Sequence, residues 1–356
     1  MHKVMIHPAE YDNCRPAIKK TFELFPLEVE GKKVVIKPNV LRSSAPEEAV
    51  TTHPAVLRAV IEKLEVMNPA QIVVGDNPGI ANYGANEETF QKTGLLEAAG
   101  NYYRNFGRSV ADIKLSGDFY QEVSVSKAIL DADIYISLPK FKTHGLTVLS
   151  GAIKNNYGIL PGAQKARGHR LAGNPWQFNE LVVDIFGIRI PDLIIVDAVV
   201  GMEGNGPIST ETRHVGKILA SDNAVAMDAT ISRMMSYPPA DLRFLQVAKD
   251  KGYGYYEAQK IEIIGELKPV PDFKLPPAVH EKIEGMPVDT TRHVERLTSM
   301  RPKADEALCT GCGTCVDECP AEALTIKEVC PEVDPDKCIV CFCCQEKCPE
   351  RAIELR

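Results

Sequence analysis

Cysteine spacing constrains this chain of 356 residues more than any other feature. Five of its eleven cysteines crowd into CIVCFCCQEKCP, residues 338–349. A shift of 29 residues lays Cys309, Cys312, Cys315 and Cys319 onto Cys338, Cys341, Cys344 and Cys348. Beyond sulfur, Pro320 falls on Pro349, Ala323 on Ala352, Leu324 on Ile353 and Ile326 on Leu355. The C-terminal stretch is therefore an internal repeat, each copy a cysteine loop, a proline and a short apolar tail.

Each copy reads C-x2-C-x2-C-x3-C-P, and residues 302–356 resemble the bacterial two-cluster ferredoxin module with all eight ligand positions filled. Carried over position by position, the resemblance implies one 4Fe-4S cluster on Cys309, Cys312, Cys315 and Cys348. It implies a second on Cys338, Cys341, Cys344 and Cys319, so that each fourth cysteine crosses to the other copy. Three thiols within seven residues suit a cubane because one loop wraps one corner, whereas a structural zinc site prefers two separated C-x2-C pairs. A disulfide scaffold needs an oxidising compartment, and Met1–Tyr11 lacks the apolar run of a secretory signal. Cys343 aligns with Thr314 and is expected to be a thiol beside a cluster rather than a ligand. Cys330 lies in the inter-repeat loop and Cys14 in an expected amphipathic helix, where free cysteine behaves as a small hydrophobe. A disulfide between Cys330 and Cys343 is the alternative for that pair.

The remaining residues exceed a small single core, and prolines 269, 271, 276, 277, 287 and 302 interrupt any long helix or central strand between them. The expected organisation is an α/β domain over 1–268, a Pro-rich linker over 269–301 and the cluster domain over 302–356. KPVPDFKLPP reads as an extended connector and TTRHVERLTSM as one helix. No apolar run approaches the roughly 20 residues that span a bilayer. A net charge of −7 argues against nucleic-acid affinity. Asp and Glu outnumber Lys and Arg in the cluster domain, which suits a soluble redox partner protein with a basic docking patch. Thiolates that must stay reduced lead us to expect a cytoplasmic, anaerobic or microaerobic setting, and a homodimer is the default oligomer.

Upstream, short apolar runs alternate with helix-length segments: KVVIKPNV then His53–Val66, QIVVGDNPG then a helical stretch, DIYISLPK then Leu146–Tyr157. DLIIVDAVVG, KILAS, DNAVAMDATISRMMSY and KIEIIG continue the series. This is the pattern of a mainly parallel layered sheet with crossover helices, an α/β fold, with a small α+β ferredoxin-like domain appended. Ligands of such sheets bind beyond the carboxyl ends of the strands. Lys37 and Asn39, Asp76, Lys140 with Lys142 and His144, and Glu203 with Asn205 all fall in loops at that edge, with Asp222 expected to cap the following helix. Residues 134–179 hold no Asp or Glu, yet carry Lys140, Lys142, Lys154, Lys165, Arg167, Arg170, His144 and His169. Such a cluster attracts an anion, either a substrate or an organic cofactor, or an acidic partner. No G-x-G-x-x-G in βαβ context and no G-x4-G-K-[ST] is present, which disfavours a standard dinucleotide or ATP site.

KPN at 37–39, GDNPG at 75–79, LPKFKTHGLTVLSGAIKNNYGILPG from 138, GMEGNGP and SDNAVAMD together resemble the DUF362 family. This domain of unknown function is often fused to a two-cluster ferredoxin. More distantly, HGLTVLSGAIKNNYGILPG is similar to the His-then-SGG-x-K-x3-PG segment of lactate racemase-like proteins, whose lysine carries a nickel pincer nucleotide. That likeness implies an acid/base His144 and a cofactor lysine Lys154, with Ala152 standing where the second glycine belongs. Three functions follow as expectations. The first is an iron-sulfur oxidoreductase relaying electrons to an anionic substrate or cofactor in the N-terminal domain. The second is a ferredoxin-type carrier docked onto a redox enzyme, and the third is racemase-like chemistry with structural or sensing clusters.

Overall fold

The computed structural model describes residues 1–79, 85–115, 117–277 and 300–355. The strands of the N-terminal unit are β1 (His2–Pro8), β2 (Lys33–Pro38), β3 (Gln71–Val74), β4 (Val110–Lys114), β5 (Glu122–Ser126) and β6 (Ile134–Leu138). They continue with β7 (Lys140–His144), β8 (Val148–Leu149), β9 (Leu193–Met202), β10 (Thr212–Ser221) and β11 (Ile261–Gly265). The main sheet runs in the order β11-β1-β10-β9-β6-β2-β3, with β7 also lying along β9 and β8 paired to β7. Pairing is parallel among β9, β6, β2 and β3 and between β1 and β11, while β10 is antiparallel to both neighbours.

Alternate residues of each strand enter different cores. Val35 of β2 and Ile194, Val196 and Ala198 of β9 pack into one, whereas Val34, Ile36, Leu193, Ile195 and Val199 pack into the other. A sheet buried on both faces is why the strands read as unbroken apolar runs. The helices Arg15–Leu24 and Pro54–Glu65 cover one face, and Pro175–Phe186 and Ala224–Met234 the other.

Several local expectations change. Leu146–Tyr157 is not one helix: β8 is followed by a short helix, Ala152–Asn155, and a 3-10 turn, Asn156–Ile159. Thr147 hydroxyl donates to the Leu149 carbonyl, a local bond that competes with helix there. Asn223, not Asp222, caps the helix Ala224–Met234, its side chain accepting from Ala226 N at 3.0 Å. Residues 269–277 are fastened to the N-terminal unit, Val270 N donating to Met234 O and Lys274 N to the Glu203 carboxylate. The helix expected over TTRHVERLTSM falls, except for Met300, outside the described residues.

The C-terminal unit contains β12 (Pro302–Ala304), β13 (Leu324–Lys327), β14 (Cys330–Val333) and β15 (Ile353–Leu355). Its repeat is expressed in three dimensions. The β12–β15 register, Pro302↔Leu355 to Ala304↔Ile353, maps by the 29-residue shift onto the β13–β14 register, Ile326↔Pro331 to Leu324↔Val333. Two equivalent corners of the repeat are gripped by the N-terminal unit: Arg170 Nε donates to Pro320 O at 2.6 Å and Arg42 to Cys348 O at 2.9 Å and Pro349 O at 3.5 Å.

Beneath β7 lies the buried pair Lys140–Asp197, 2.7 Å apart. Asp197 also accepts from Tyr11 hydroxyl at 3.2 Å and from His53 N at 2.8 Å. Asp197→Ala strands the Lys140 ammonium in the core, and urea unfolding should report a loss of about 3–5 kcal/mol.

Candidate functional site

A cavity with about 110 Å³ of space open to water sits at the carboxyl edge of the parallel strands. That is room for a few waters or one small molecule. Its floor is a salt bridge, Lys37 Nζ at the end of β2 lying 2.7 Å from Asp76 Oδ1 just beyond β3. Asp76 also accepts from Val40 N at 2.8 Å, and Lys37 donates to Asn155 Oδ1 at 3.2 Å. Gly158 lies flush over this pair, and a side chain there would collide with both Asp76 and Lys37.

Lys142 and His144 enter from β7. Lys142 donates to Val50 O at 2.8 Å. His144 Nδ1 accepts from Leu146 N at 3.1 Å, which puts the proton of the neutral ring on Nε2. Nε2 lies 3.3 Å from Glu346 Oε1. Burial, reinforced by Lys154, lowers the His144 pKa to about 4, so the ring is neutral at pH 7. Lys154 stands on the helix Ala152–Asn155, whose first amides are held by Asp228: Ala152 N at 2.6 Å and Ile153 N at 3.0 Å from its two oxygens. The SGAIK and SDNAVAMD motifs are thus two halves of one support. Lys165, on the helix Gly162–Ala172, donates to Asn77 O and, at 2.8 Å, to Pro78 O. His169 of the same helix stacks on Phe178 and completes the wall.

The opposite wall belongs to the C-terminal unit: Glu318, Cys343, Glu346 and Lys347. Lys347 pairs with Glu318 at 3.3 Å, so Lys142 and Lys154 are left facing the carboxylate of Glu346, with Lys165 nearer Asp76. Burial lowers the Lys142 and Lys165 pKa values to about 7 each, Lys154 adding to the effect in both. Burial lowers Lys154 as well. Extra negative charge in this space is therefore favoured electrostatically.

Of the residues singled out in the sequence, Lys37, Asn39, Asp76, Lys142, His144 and Lys154 line the cavity, whereas Lys140, Glu203 and Asn205 are not among its lining residues. Pairing along β9 shifts register between Lys140, opposite Asp197, and Lys142, opposite Met202, so the period-2 pattern breaks and Lys140 turns to Asp197. Glu203 is taken by Arg213 at 3.0 Å and by Lys274 N. Asn155, Lys165, His169 and Glu346 join the wall without having been chosen as site residues. Lys165 and His169 carry a signal, the acid-free segment, while Glu346 carries none because its place depends on docking.

The cysteines form two rings. Cys309, Cys312, Cys315 and Cys348 line one cavity, and Cys319, Cys338, Cys341 and Cys344 another. Four thiols around an apolar void fit a 4Fe-4S cluster better than zinc. Ala323 N donates to Cys319 Sγ at 3.3 Å and the repeat-related Ala352 N to Cys348 Sγ at 3.2 Å, the amide–sulfur bonds that tune such centres. Cys343, between Cys341 and Cys344, lines the lysine cavity instead.

A model of the domain of unknown function DUF362 matches residues 34–233, and a model of the 4Fe-4S binding domain matches residues 302–325. A thylakoid-associated protein of Synechocystis sp. is 32% identical over 215 residues, 60% of this chain and 65% of that protein. The chain thus spans less than two thirds of that relative's length. A probable ferredoxin of Methanosarcina thermophila is 55% identical over 29 residues, 8% of this chain and 50% of that one. Among solved structures, the lactate racemase apoprotein from Thermoanaerobacterium thermosaccharolyticum aligns over 62% of this chain and 54% of its own, with 15% identity and a TM-score of 0.42. A protein from Thermotoga maritima aligns over 69% and 59%, with 13% identity and a TM-score of 0.39. No helix among the described residues is long and apolar enough to cross a membrane.

Burial raises the pKa of Asp228 to about 7, against the pull of its two amide donors, from about 4 in an unfolded chain. Its contribution to stability is therefore fully present below about pH 4 and lost as pH rises toward 7. Asp228→Asn removes that titration. Its thermal midpoint relative to the natural protein should climb between pH 4 and 7, and a constant difference across that range would contradict this.

Proposed function

The chain belongs to the DUF362 family and carries a 4Fe-4S binding domain, and from that premise we propose an iron-sulfur oxidoreductase acting on an anion held in the lysine cavity. A 4Fe-4S cluster supplies one-electron transfer when bound. The observation that carries the reading is the shared wall: Cys343, flanked by ligand positions Cys341 and Cys344, opens onto the same space as Lys142, Lys154 and Lys165. An electron arriving at the second quartet is then one residue away from whatever the lysines hold.

The roles divide by geometry. Lys154 and Lys142 receive the anion, and Lys165 adds charge from the opposite helix. Lys37 and Asp76 neutralise each other and hold the floor. His144 holds a proton on Nε2 at the cavity wall, a position from which it could hand a hydrogen bond to a bound oxygen. Asp228 positions Lys154. The first quartet, at Cys309, Cys312, Cys315 and Cys348, is the more distant station and faces a soluble partner with a basic docking patch. We place this chemistry in a reducing, low-oxygen cytoplasm, with residues 1–268 and 302–356 as two domains.

Two clusters predict about eight irons per chain in anaerobically purified protein. Cys343→Ser should keep that content, whereas Cys348→Ala should lower it to about four. Iron loss from Cys343→Ser equal to that from Cys344→Ser would reverse the ligand assignment.

Sulfate, added to the anaerobically reduced full chain, should saturably change the electron paramagnetic resonance spectrum, and Lys154→Met should abolish the change. Lys142 and Lys165 lose charge as pH rises through about 7, so sulfate affinity should fall roughly tenfold between pH 6 and pH 8. A spectrum indifferent to sulfate at pH 6 overturns the anion site.

A further inference from the structure

The two walls of the cavity make opposite demands, and from them we infer that its ligand is a small oxyanion carrying its own O–H or N–H donor. This rests on the anion-site reading above and narrows it to a chemical class.

One wall offers unused protons. Lys154 Nζ sits over the rings of Tyr157 and Phe178, 5.0 and 5.5 Å from their centroids, with no hydrogen-bond acceptor among the described residues. Lys142 commits one N–H to Val50 O. An anionic oxygen placed between the two lysines satisfies both.

Two acceptors stand unused as well, one beside the Lys37 floor and one on the wall of the C-terminal unit. Asn39 Oδ1 and Glu346 Oε1 are buried and have no hydrogen-bond partner. The amide of Asn39 is oriented by its neighbours: Lys37 Nζ and Asn39 Nδ2 both reach one atom of Asn155, at 3.2 and 3.1 Å. An ammonium only donates, so that atom is the Asn155 oxygen, and Asn39 must meet it with its NH2 group. The oxygen of Asn39 is thereby left as an acceptor. His144 Nε2 approaches Glu346 Oε1 at 3.3 Å without the alignment of a hydrogen bond.

Water can serve these acceptors in the resting protein, but a ligand that displaces it must replace its protons or lose affinity. A plain anion beside Lys154 would also face the Glu346 carboxylate with nothing between them. A hydroxyl or amino group on the ligand resolves both difficulties, donating to Glu346 or Asn39 while the anionic end meets the lysines. Cations alone would accept any small anion. The acceptors select among them.

The test is calorimetry on the full, anaerobically purified holoprotein with matched acids: acetate against glycolate, and succinate against malate, with sulfate as the donor-free reference. Glycolate and malate should bind roughly tenfold to hundredfold tighter than their partners, as expected for filling stranded buried acceptors. Asn39→Met should shrink that ratio. Equal affinities within each pair, both lost in Lys154→Met, would overturn the donor requirement while leaving the anion site standing. No binding by any of the acids or by sulfate would overturn the anion site and this inference together.

Discussion

Everything at the carboxyl edge of the sheet hangs on the Lys37–Asp76 ion pair. With both side chains out of water, neither charge is tolerable alone, and their 2.7 Å contact fixes the ends of β2 and β3 relative to each other. Asn155 Oδ1 accepts a hydrogen bond from Lys37 and its Nδ2 donates one to Ser137 of β6, which ties a third parallel strand to the same network. Gly158 lets the following turn close onto the pair. The cavity is therefore built on a neutral floor. Only above it, where Lys142, Lys154 and Lys165 stand without matching carboxylates of their own domain, does positive charge accumulate.

The C-terminal unit meets that charge with one carboxylate, Glu346, and its seating follows from the pseudo-twofold repeat. The left-handed residues Gly311 and Gly313 of the first copy correspond to Val340 and Phe342 in the second. At these two positions the second copy puts bulky side chains where the first has glycine, at a backbone cost on the order of 1–2 kcal/mol each. Phe342 packs against Gly145, where a side chain would collide with its ring, and Val340 and Phe342 both enter the large core of the N-terminal unit. Burial of a phenyl ring offsets that cost. The asymmetry between otherwise equivalent copies is what decides which quartet faces the lysines.

How much of this was legible in the sequence depended on whether a feature was local or assembled. The C-terminal repeat came through because its 29-residue shift carries the strand register along with the cysteines. The parallel strands came through because two-sided burial writes itself as apolar runs. The antiparallel β10 did not, since KILAS reads the same in either direction, and the register shift that sends Lys140 to Asp197 instead of the cavity has no signature in KFKTH. Asp228 sat in plain view within SDNAVAMD, 75 residues from the amide it holds at Ile153, and only the fold connects them. Glu346 was the least legible of all, because its role depends on where a separate unit docks.

That docking gives the arrangement its logic. A cluster protein that only carried electrons would have no use for buried lysines whose charge is suppressed by their surroundings. A lysine cavity that only bound an anion would not need a wall built from the residues between two cluster ligands. Placing them together makes the cavity's occupancy and the environment of the second quartet mutually dependent. An anion in the cavity would favour the charged forms of Lys142 and Lys165. Any effect of occupancy on the reduction of a cluster at that quartet would be returned in equal measure as an effect of reduction on occupancy.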